Sequence, residues 1–277
     1  MVGIDREGLA AGLPQFVLPE GSTEVISTGA QVLLDEQAAR HIRVLRLEAG
    51  AVVGIRDGRG GIGEGLIVRI TRTMAQVEVT AAEARLPLPE VHMLVPVADR
   101  DRMLWLAEKC AELGATSWRP VLWRRSRSVS PRGEGVAFQG RIRSRMTLAL
   151  AQSEGAWLPQ RFPEATLERA ILAAPDGLRV VLDSESEPLV GRDLAASPVG
   201  FEPPVVLAIG PEGGLEADEM AALAEAGFRA RSMGPTILRF ETAAVAALAI
   251  ARTALDTRTG LRTGLNHTTP ETADGGN

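Results

Sequence analysis

Apolar positions in the first 84 residues recur in short, mostly alternating runs. Residues 31–34, 51–55, 66–70 and 74–79 each read as a strand, separated by turn-rich segments. One helix interrupts them. Asp35 is placed to cap it, Ala38, Ile42 and Leu45 form its apolar stripe, and Gly50 stops it. Many short strands with a single helix predict a small barrel. The stretch 85–90, Arg-Leu-Pro-Leu-Pro-Glu, then reads as a linker, because two prolines suit neither a helix nor a central strand. Beyond it the pattern changes: a strand at 91–97, a helix at 102–113 ended by Gly114, a strand at 118–123, and a long helix at about 140–152. Residues 180–183 and 205–209 are continuous apolar runs of the kind buried on both faces, each followed by a loop and helical material. Strand and helix in alternation predict an α/β domain with a parallel sheet. Residues 263–277 are polar and aperiodic, which predicts disorder.

Composition narrows the classes. The longest apolar run, residues 243–251, stops at Arg252 and is too short to span a bilayer. The N-terminus has no basic start followed by an apolar stretch, so no secretory signal is expected. One cysteine, Cys110, cannot form an intrachain disulfide, and three histidines cannot build a zinc cluster, so a reducing cytoplasm and no metal are expected. The net charge of −5 argues against nucleic acid when averaged over the chain. Resolved by segment it argues the other way. Residues 119–145 hold eight arginines against the single acid Glu134, while residues 153–226 carry 14 acids against four arginines. A net +7 with a single interspersed acid attracts phosphate. Arg40, Arg43 and Arg46 add a basic stripe within about a third of the first helix's circumference.

Several motifs divide between chemistry and packing. Gly58, Gly60 and Gly63 form a formal G-x-G-x-x-G, but a strand-like segment follows where a dinucleotide site needs a helix, so it reads as a hairpin turn. Cys110 lies on the apolar stripe of Met103, Leu106, Ala107 and Leu113 and reads as a packing residue. His41, beside Arg40 and near Arg43, reads either as an RNA contact or as surface; His92, in a strand, reads as structural. The segment Ile209-Gly210-Pro211-Glu212-Gly213-Gly214 closes the strongest buried strand and opens a helix. Ligands of open α/β sheets sit at the carboxyl ends of strands, and three glycines let main-chain groups approach one closely. Absence of the phosphate-loop Lys and Ser/Thr disfavours a nucleoside triphosphate. A second loop-to-helix transition, Met233-Gly234-Pro235-Thr236-Ile237-Leu238-Arg239-Phe240-Glu241-Thr242, places charges at the mouth of an apolar helix, and two such loops converge on one pocket.

Together these segments resemble the ribosomal RNA small-subunit methyltransferase E family. The stretches that carry the resemblance are His-Ile-Arg-Val-Leu-Arg at 41–46, Asp-Gly at 57–58, Glu-Lys-Cys-Ala-Glu-Leu-Gly at 108–114, Ile-Gly-Pro-Glu-Gly-Gly at 209–214 and Gly-Pro-Thr-Ile-Leu-Arg-Phe-Glu-Thr-Ala at 234–243. The resemblance implies a PUA-like β-barrel over 1–84, a SPOUT α/β methyltransferase domain with a parallel sheet and a trefoil knot over 90–262, and a homodimer. It implies S-adenosyl-L-methionine as cofactor and N3 of a uridine in 16S rRNA, free or in the 30S subunit, as target. Ile209, Gly210, Pro211, Glu212, Gly213, Gly214, Met233, Gly234, Ile237, Leu238 and Thr242 would surround the cofactor. Arg239 would stabilise negative charge developing on a uracil carbonyl, with Glu241 as base or as orienter of Arg239. Arg43, Arg46, Arg125, Arg127 and Gln152 would hold RNA.

The chain also departs from the family pattern. Where Glu-Gln-x-Gly-Arg is usual it reads Ala151-Gln152-Ser153-Glu154-Gly155, so an arginine is missing. The N-terminal Arg-Phe is Gln15-Phe16, and Thr236 and Phe240 replace a common arginine and threonine. These departures leave as an alternative a catalytically silent or retargeted RNA-binding relative; the glycine loop by itself would also suit a small-metabolite enzyme, in which the +7 segment would have no purpose.

Overall fold

The structure is a computed structural model, and it describes residues 8–128, 133–195 and 203–259. Its N-terminal part is a five-stranded sheet in the order β1-β3-β4-β5-β2. The strands are β1 (Gln15–Val17), β2 (Gln31–Leu34), β3 (Val52–Arg56), β4 (Gly61–Ile70) and β5 (Ala75–Ala84). All pairings are antiparallel except β1 with β3. Helix α1 (Glu36–Val44) is capped by Asp35, whose side chain accepts from the Ala38 N–H at 2.9 Å, and it buries Ala39 and Ile42. These pack with Phe16, Val32, Leu34, Val53, Ile55, Ile67 and Val77 in a small core of their own.

The second part is a wholly parallel six-stranded sheet in the order β11-β9-β10-β6-β7-β8. Its strands are β6 (Val91–Pro96), β7 (Ser117–Val121), β8 (Gln160–Arg161), β9 (Leu178–Leu182), β10 (Val205–Ala208) and β11 (Arg229–Arg231). Helices α2 (Arg100–Glu112), α3 (Val136–Ser153), α5 (Gly191–Ala195) and α7 (Phe240–Thr259) cover one face; α4 (Leu167–Leu172) and α6 (Ala217–Glu225) cover the other. The period-2 geometry of a strand divides the apolar runs between two cores. Val91, Met93, Val95, Val205 and Leu207 face the first layer, and Leu94, Val206 and Ala208 the second. Cys110 is fully buried in the first layer, and burial pushes its thiol up.

Several boundaries differ from the sequence expectation: α1 ends at Val44 with Leu45 as its C-cap, before Gly50, which leaves Arg46 beyond the helix, and β5 runs on past Val79 to Ala84. Strand β4 starts at Gly61, not at 66, because its glycines are required by crowding. A Cβ at Gly63 would lie 2.6 Å from Ile26 Cγ2, and one at Gly65 2.5 Å from Val77 Cγ1. Helix α3 starts at Val136 and carries Gly140 inside it, where a Cβ would meet nothing; a single interior glycine costs about 1 kcal/mol, which a packed helix tolerates. Helix α7 runs past its apolar stretch on both sides. The expected disordered tail lies outside the described residues.

The formal G-x-G-x-x-G is the β3–β4 turn, and its glycines serve the contact between the two parts. Gly60 N–H donates to Ala156 O at 2.9 Å and Leu158 N–H to Gly58 O at 2.9 Å. A Cβ at Gly58 would strike Leu158 at 2.7 Å, and one at Gly60 would strike Trp157 at 2.6 Å. Nearby, buried Arg56 donates through Nε to Gln15 Oε1 and through Nη1 to Gly155 O, each at 3.1 Å. Two of the family departures thus meet at one guanidinium.

Candidate active site

Strands β6 and β10 are neighbours at the centre of the parallel sheet, and the chain runs outward from them in opposite directions. The loops after such a pair diverge and leave a crevice at their carboxyl ends. A cavity of about 180 Å³ opens beside this point, at the carboxyl ends of β9, β10 and β11. Leu182, Asp183 and Ser184 at the end of β9 line it, with Ile209, Gly210, Pro211, Glu212, Gly214 and Leu215 after β10. Met220 of α6, then Met233, Gly234, Thr236, Ile237 and Leu238 after β11, and Phe240 and Ala243 in the first turn of α7 complete it.

The glycine loop turns tightly. Gly214 has φ +75° and its N–H donates to Pro211 O at 2.9 Å. Arg125, in the turn Arg124–Ser128 after β7, lies across it. Its Nη1 donates to Gly213 O and its Nε to Glu216 Oε1 at 2.8 Å. A Cβ on Gly213 would meet Arg125 carbons at 3.2 Å, so glycine is what admits this clamp. The hydrogen bond from Arg125 holds the Glu216 carboxyl below the usual carboxylate range. Helix α6 is secured behind the loop: Glu219 accepts from the Glu216 N–H at 2.8 Å and from the Arg124 N–H at 2.9 Å.

A second clamp comes from the helix after β6. Asp99 caps α2 by accepting from the Arg102 N–H at 3.1 Å. The Arg102 side chain then pairs with Glu212 on the glycine loop, while its Nε lies 3.8 Å from Glu241 Oε1 in the first turn of α7. Glu241 is more than nine-tenths buried, and its Oε2 has no hydrogen-bond partner. One arginine therefore joins the two loops that wall the pocket, and it places a buried carboxylate beside them.

Of the cofactor residues expected from the sequence, Ile209, Gly210, Pro211, Glu212, Gly214, Met233, Gly234, Ile237 and Leu238 line the cavity. Gly213 faces Arg125, and Thr242 is exposed on α7 outside the lining. Arg239 is exposed at the last position before α7, and its carbonyl accepts from the Ala243 N–H at 3.0 Å. Glu241 pairs with Arg102, and no hydrogen bond joins it to Arg239. Among the expected RNA contacts, Arg43 ties α1 to the β4–β5 turn through Thr71 O at 2.8 Å and Arg72 O at 3.2 Å. Arg46 (φ +56°) and Gln152 are exposed, Arg125 belongs to the loop clamp, and the Arg127 side chain lies outside the described residues.

Asp183, Ser184, Leu215, Met220 and Arg102 were not foreseen. A signal existed for the first two, which follow the apolar run ending at β9 just as Gly210 follows β10.

The basic segment is less open than its charge implies. Arg124 pairs with Asp218, Arg125 with Glu216, Arg143 with Glu20, and Arg145 with Glu108 at 3.5 Å. Among the described residues no cluster of His, Cys, Asp and Glu could hold a metal ion, and no helix is long and apolar enough to cross a membrane.

Known proteins place this architecture. The model of the RNA methyltransferase domain matches residues 84–252, more than half of the chain, and that of the RNA methyltransferase PUA domain matches residues 34–80. The ribosomal RNA small subunit methyltransferase E of Synechocystis sp. is 32% identical over 211 residues, covering 75% of this chain and 67% of that protein. The chain belongs to the ribosomal RNA small-subunit methyltransferase E family. The Mycobacterium bovis member is 29% identical over 233 residues, which cover 80% of this chain and 86% of that one. The crystal structure of the Neisseria gonorrhoeae methyltransferase E, bound to S-adenosyl methionine, superposes with TM-score 0.74 at 27% identity, covering 87% of this chain and 97% of that one. In this methyltransferase E chain the N-terminal sheet is thus a PUA-type unit, and the parallel sheet with the crevice is the methyltransferase domain.

Proposed function

We propose that this chain is an S-adenosylmethionine-dependent methyltransferase that modifies N3 of a uridine in 16S rRNA, works in the cytoplasm and acts as a homodimer. In this reading residues 1–84 hold RNA, residues 90–262 form the catalytic SPOUT domain, and α7 completes a trefoil knot behind the pocket. The observation that carries it is the glycine-walled cavity at the carboxyl ends of β9, β10 and β11 in a chain of this family.

The cavity suits the cofactor chemically. Leu182, Leu215, Leu238 and Phe240 offer apolar surface to a purine, Gly210 and Gly214 line the wall without side chains, and Asp183 and Glu212 offer carboxylates to hydroxyl and cationic groups. When bound, S-adenosylmethionine supplies an electrophilic methyl group. The residues of this chain supply the rest. The uridine N3–H must lose its proton as the N–C bond forms. Glu241, with one carboxylate oxygen uncommitted, is the group assigned to accept it. Arg239, exposed between the lining residues Leu238 and Phe240, steadies the negative charge that spreads onto the uracil carbonyls. Holding both reactants in line accounts for most of the remaining acceleration.

The test is incubation of 30S subunits, taken from a strain lacking the modification, with methyl-labelled cofactor, followed by mass mapping of the 16S rRNA. One N3-methyluridine per subunit is expected, from protein that sediments as a dimer. No incorporation with intact cofactor binding would instead identify a silent relative.

A further inference from the structure

The described residues hold a second and larger concavity, which shares no lining residue with the glycine-loop pocket. It is a cleft of about 550 Å³ between β1 and α1 on one side and α3 on the other, so it lies where the PUA-type unit meets the methyltransferase domain. Its floor is apolar and includes buried Phe16 and Leu18. Four uncharged polar side chains line it without a hydrogen bond among the described residues: Gln37 and His41 from α1, and Ser144 and Thr147 from α3. Serine and threonine within helices often turn back onto the carbonyl one turn earlier, and these two are not so engaged. The exposed His41 ring meets Phe16 only by its edge, at 5.8 Å and 63°. The carboxylates at the margin are already committed. Asp35 caps α1, and Glu20 holds Arg143 and Arg161, the latter at 2.8 Å. Arg40 stands at the rim with Glu36 4.0 Å away on an exposed face.

An apolar floor with a few convergent, uncommitted polar groups is the usual make-up of a small-ligand site. Single-stranded RNA is read by splaying out bases, stacking them on aromatic rings, histidine included, and hydrogen-bonding their edges. We propose that this cleft receives one unstacked nucleotide of the RNA, other than the one methylated, with its base on His41 and its edge read by Gln37, Ser144 and Thr147. A nucleotide here is held by both units at once, which fixes the register of the RNA on the catalytic domain. Arg40 at the rim on α1 and Arg46 just past the end of that helix are exposed and available to the flanking phosphates, whereas Arg43 is held by the β4–β5 turn.

This proposal rests on rRNA being the substrate, and the test separates the two. Full-length Thr147→Trp fills the cleft from α3 without touching the glycine loop. It should raise KM for 30S subunits about tenfold or more, with cofactor affinity by calorimetry and the urea midpoint unchanged. His41→Ala should act in the same direction, and His41→Phe, which keeps a stacking ring, should restore most of the loss. Arg40→Ala should lower the salt dependence of 30S binding, whereas Thr147→Trp should leave it as it is, since a base pocket neutralises no phosphate. A Thr147→Trp protein with the wild-type KM, or a His41→Phe protein as poor as His41→Ala, overturns the cleft assignment alone. A wild-type protein that neither binds nor methylates 30S subunits overturns the substrate reading and the cleft with it.

Discussion

Arg102 joins parts of the site that are far apart in the chain. It is about a third exposed, and its partners stand on either side of the pocket, Glu212 on the glycine loop and buried Glu241 in the first turn of α7. Removing it leaves a buried carboxylate without its cation and frees the glycine loop from α7. Arg102→Ala should therefore lower cofactor affinity and kcat by about tenfold each, and the unpaired carboxylate should cost about 1–3 kcal/mol in urea unfolding. Arg102→Lys should recover part of kcat, because lysine restores charge but not the fork that reaches two acids. In combination with Glu241→Gln the losses should fall well short of additive, the mark of residues acting through one contact. Equal, additive losses would show that Arg102 serves Glu212 alone. No single-residue signal pointed to this arginine. It follows a cap-type Asp99 at the start of an amphipathic helix, where a cation is unremarkable, and only the adjacency of β6 and β10 brings it to the glycine loop.

At the scale of elements, what the sequence made legible depends on how local the cause is. The strands of the parallel sheet were readable because burial on both faces leaves an unbroken apolar run, and α1 because its cap and stripe lie within one segment. Helix α7 was readable only in its apolar middle. Its later turns include Arg252, which is buried and donates to Leu113 O at 3.1 Å and also to Pro89 and Gly114 O, closing the end of α2 and the linker from a position about 140 residues away in the chain. Periodicity cannot report a partner at that distance. The glycine turn of β3–β4 was correctly separated from a nucleotide motif, but its docking role depends on Trp157 and Leu158, which no spacing rule connects to it. That role has a measurable consequence. Gly60 has φ +102°, and a Cβ there would also lie 2.8 Å from the Arg85 carbonyl oxygen, which is backbone and cannot step aside. Gly60→Ala should cost about 1–3 kcal/mol in urea unfolding, and because the strain falls on the contact between the two units it should split one cooperative transition into two. A Gly60→Ala protein with wild-type midpoint and a single transition would mean that this turn does not hold the units together.

At the scale of the whole molecule, charge separated along the sequence is partly recombined in space. The segment 119–145 is +7 and the segment 153–226 is −10, which reads as a basic face against an acidic one. Folding brings Asp218 and Glu216 onto Arg124 and Arg125, and Glu20 and Glu108 onto Arg143 and Arg145, so among the described residues four of the arginines already face acids. The distinction matters for RNA, because each phosphate neutralised by an open cation releases a counterion and steepens the salt dependence of binding. Each open contact adds about −0.9 to the slope of log K against log salt, so pairing of these four should make it shallower by about 3 to 4 than eight open contacts, about −7, would give. Filter binding of a 16S rRNA fragment between about 50 and 200 mM salt measures this directly. The acids on α6 make the interpretation testable. Glu216→Gln with Asp218→Asn opens Arg124 and Arg125 without adding a cation, so the slope should steepen by about two contacts and low-salt affinity should rise, whereas cofactor affinity should fall as the Arg125 clamp on the glycine loop loosens. A wild-type slope near −7, or a double variant with an unchanged slope, would mean that these ion pairs give way to phosphate whenever RNA arrives, and that the basic segment acts as its sequence alone implies.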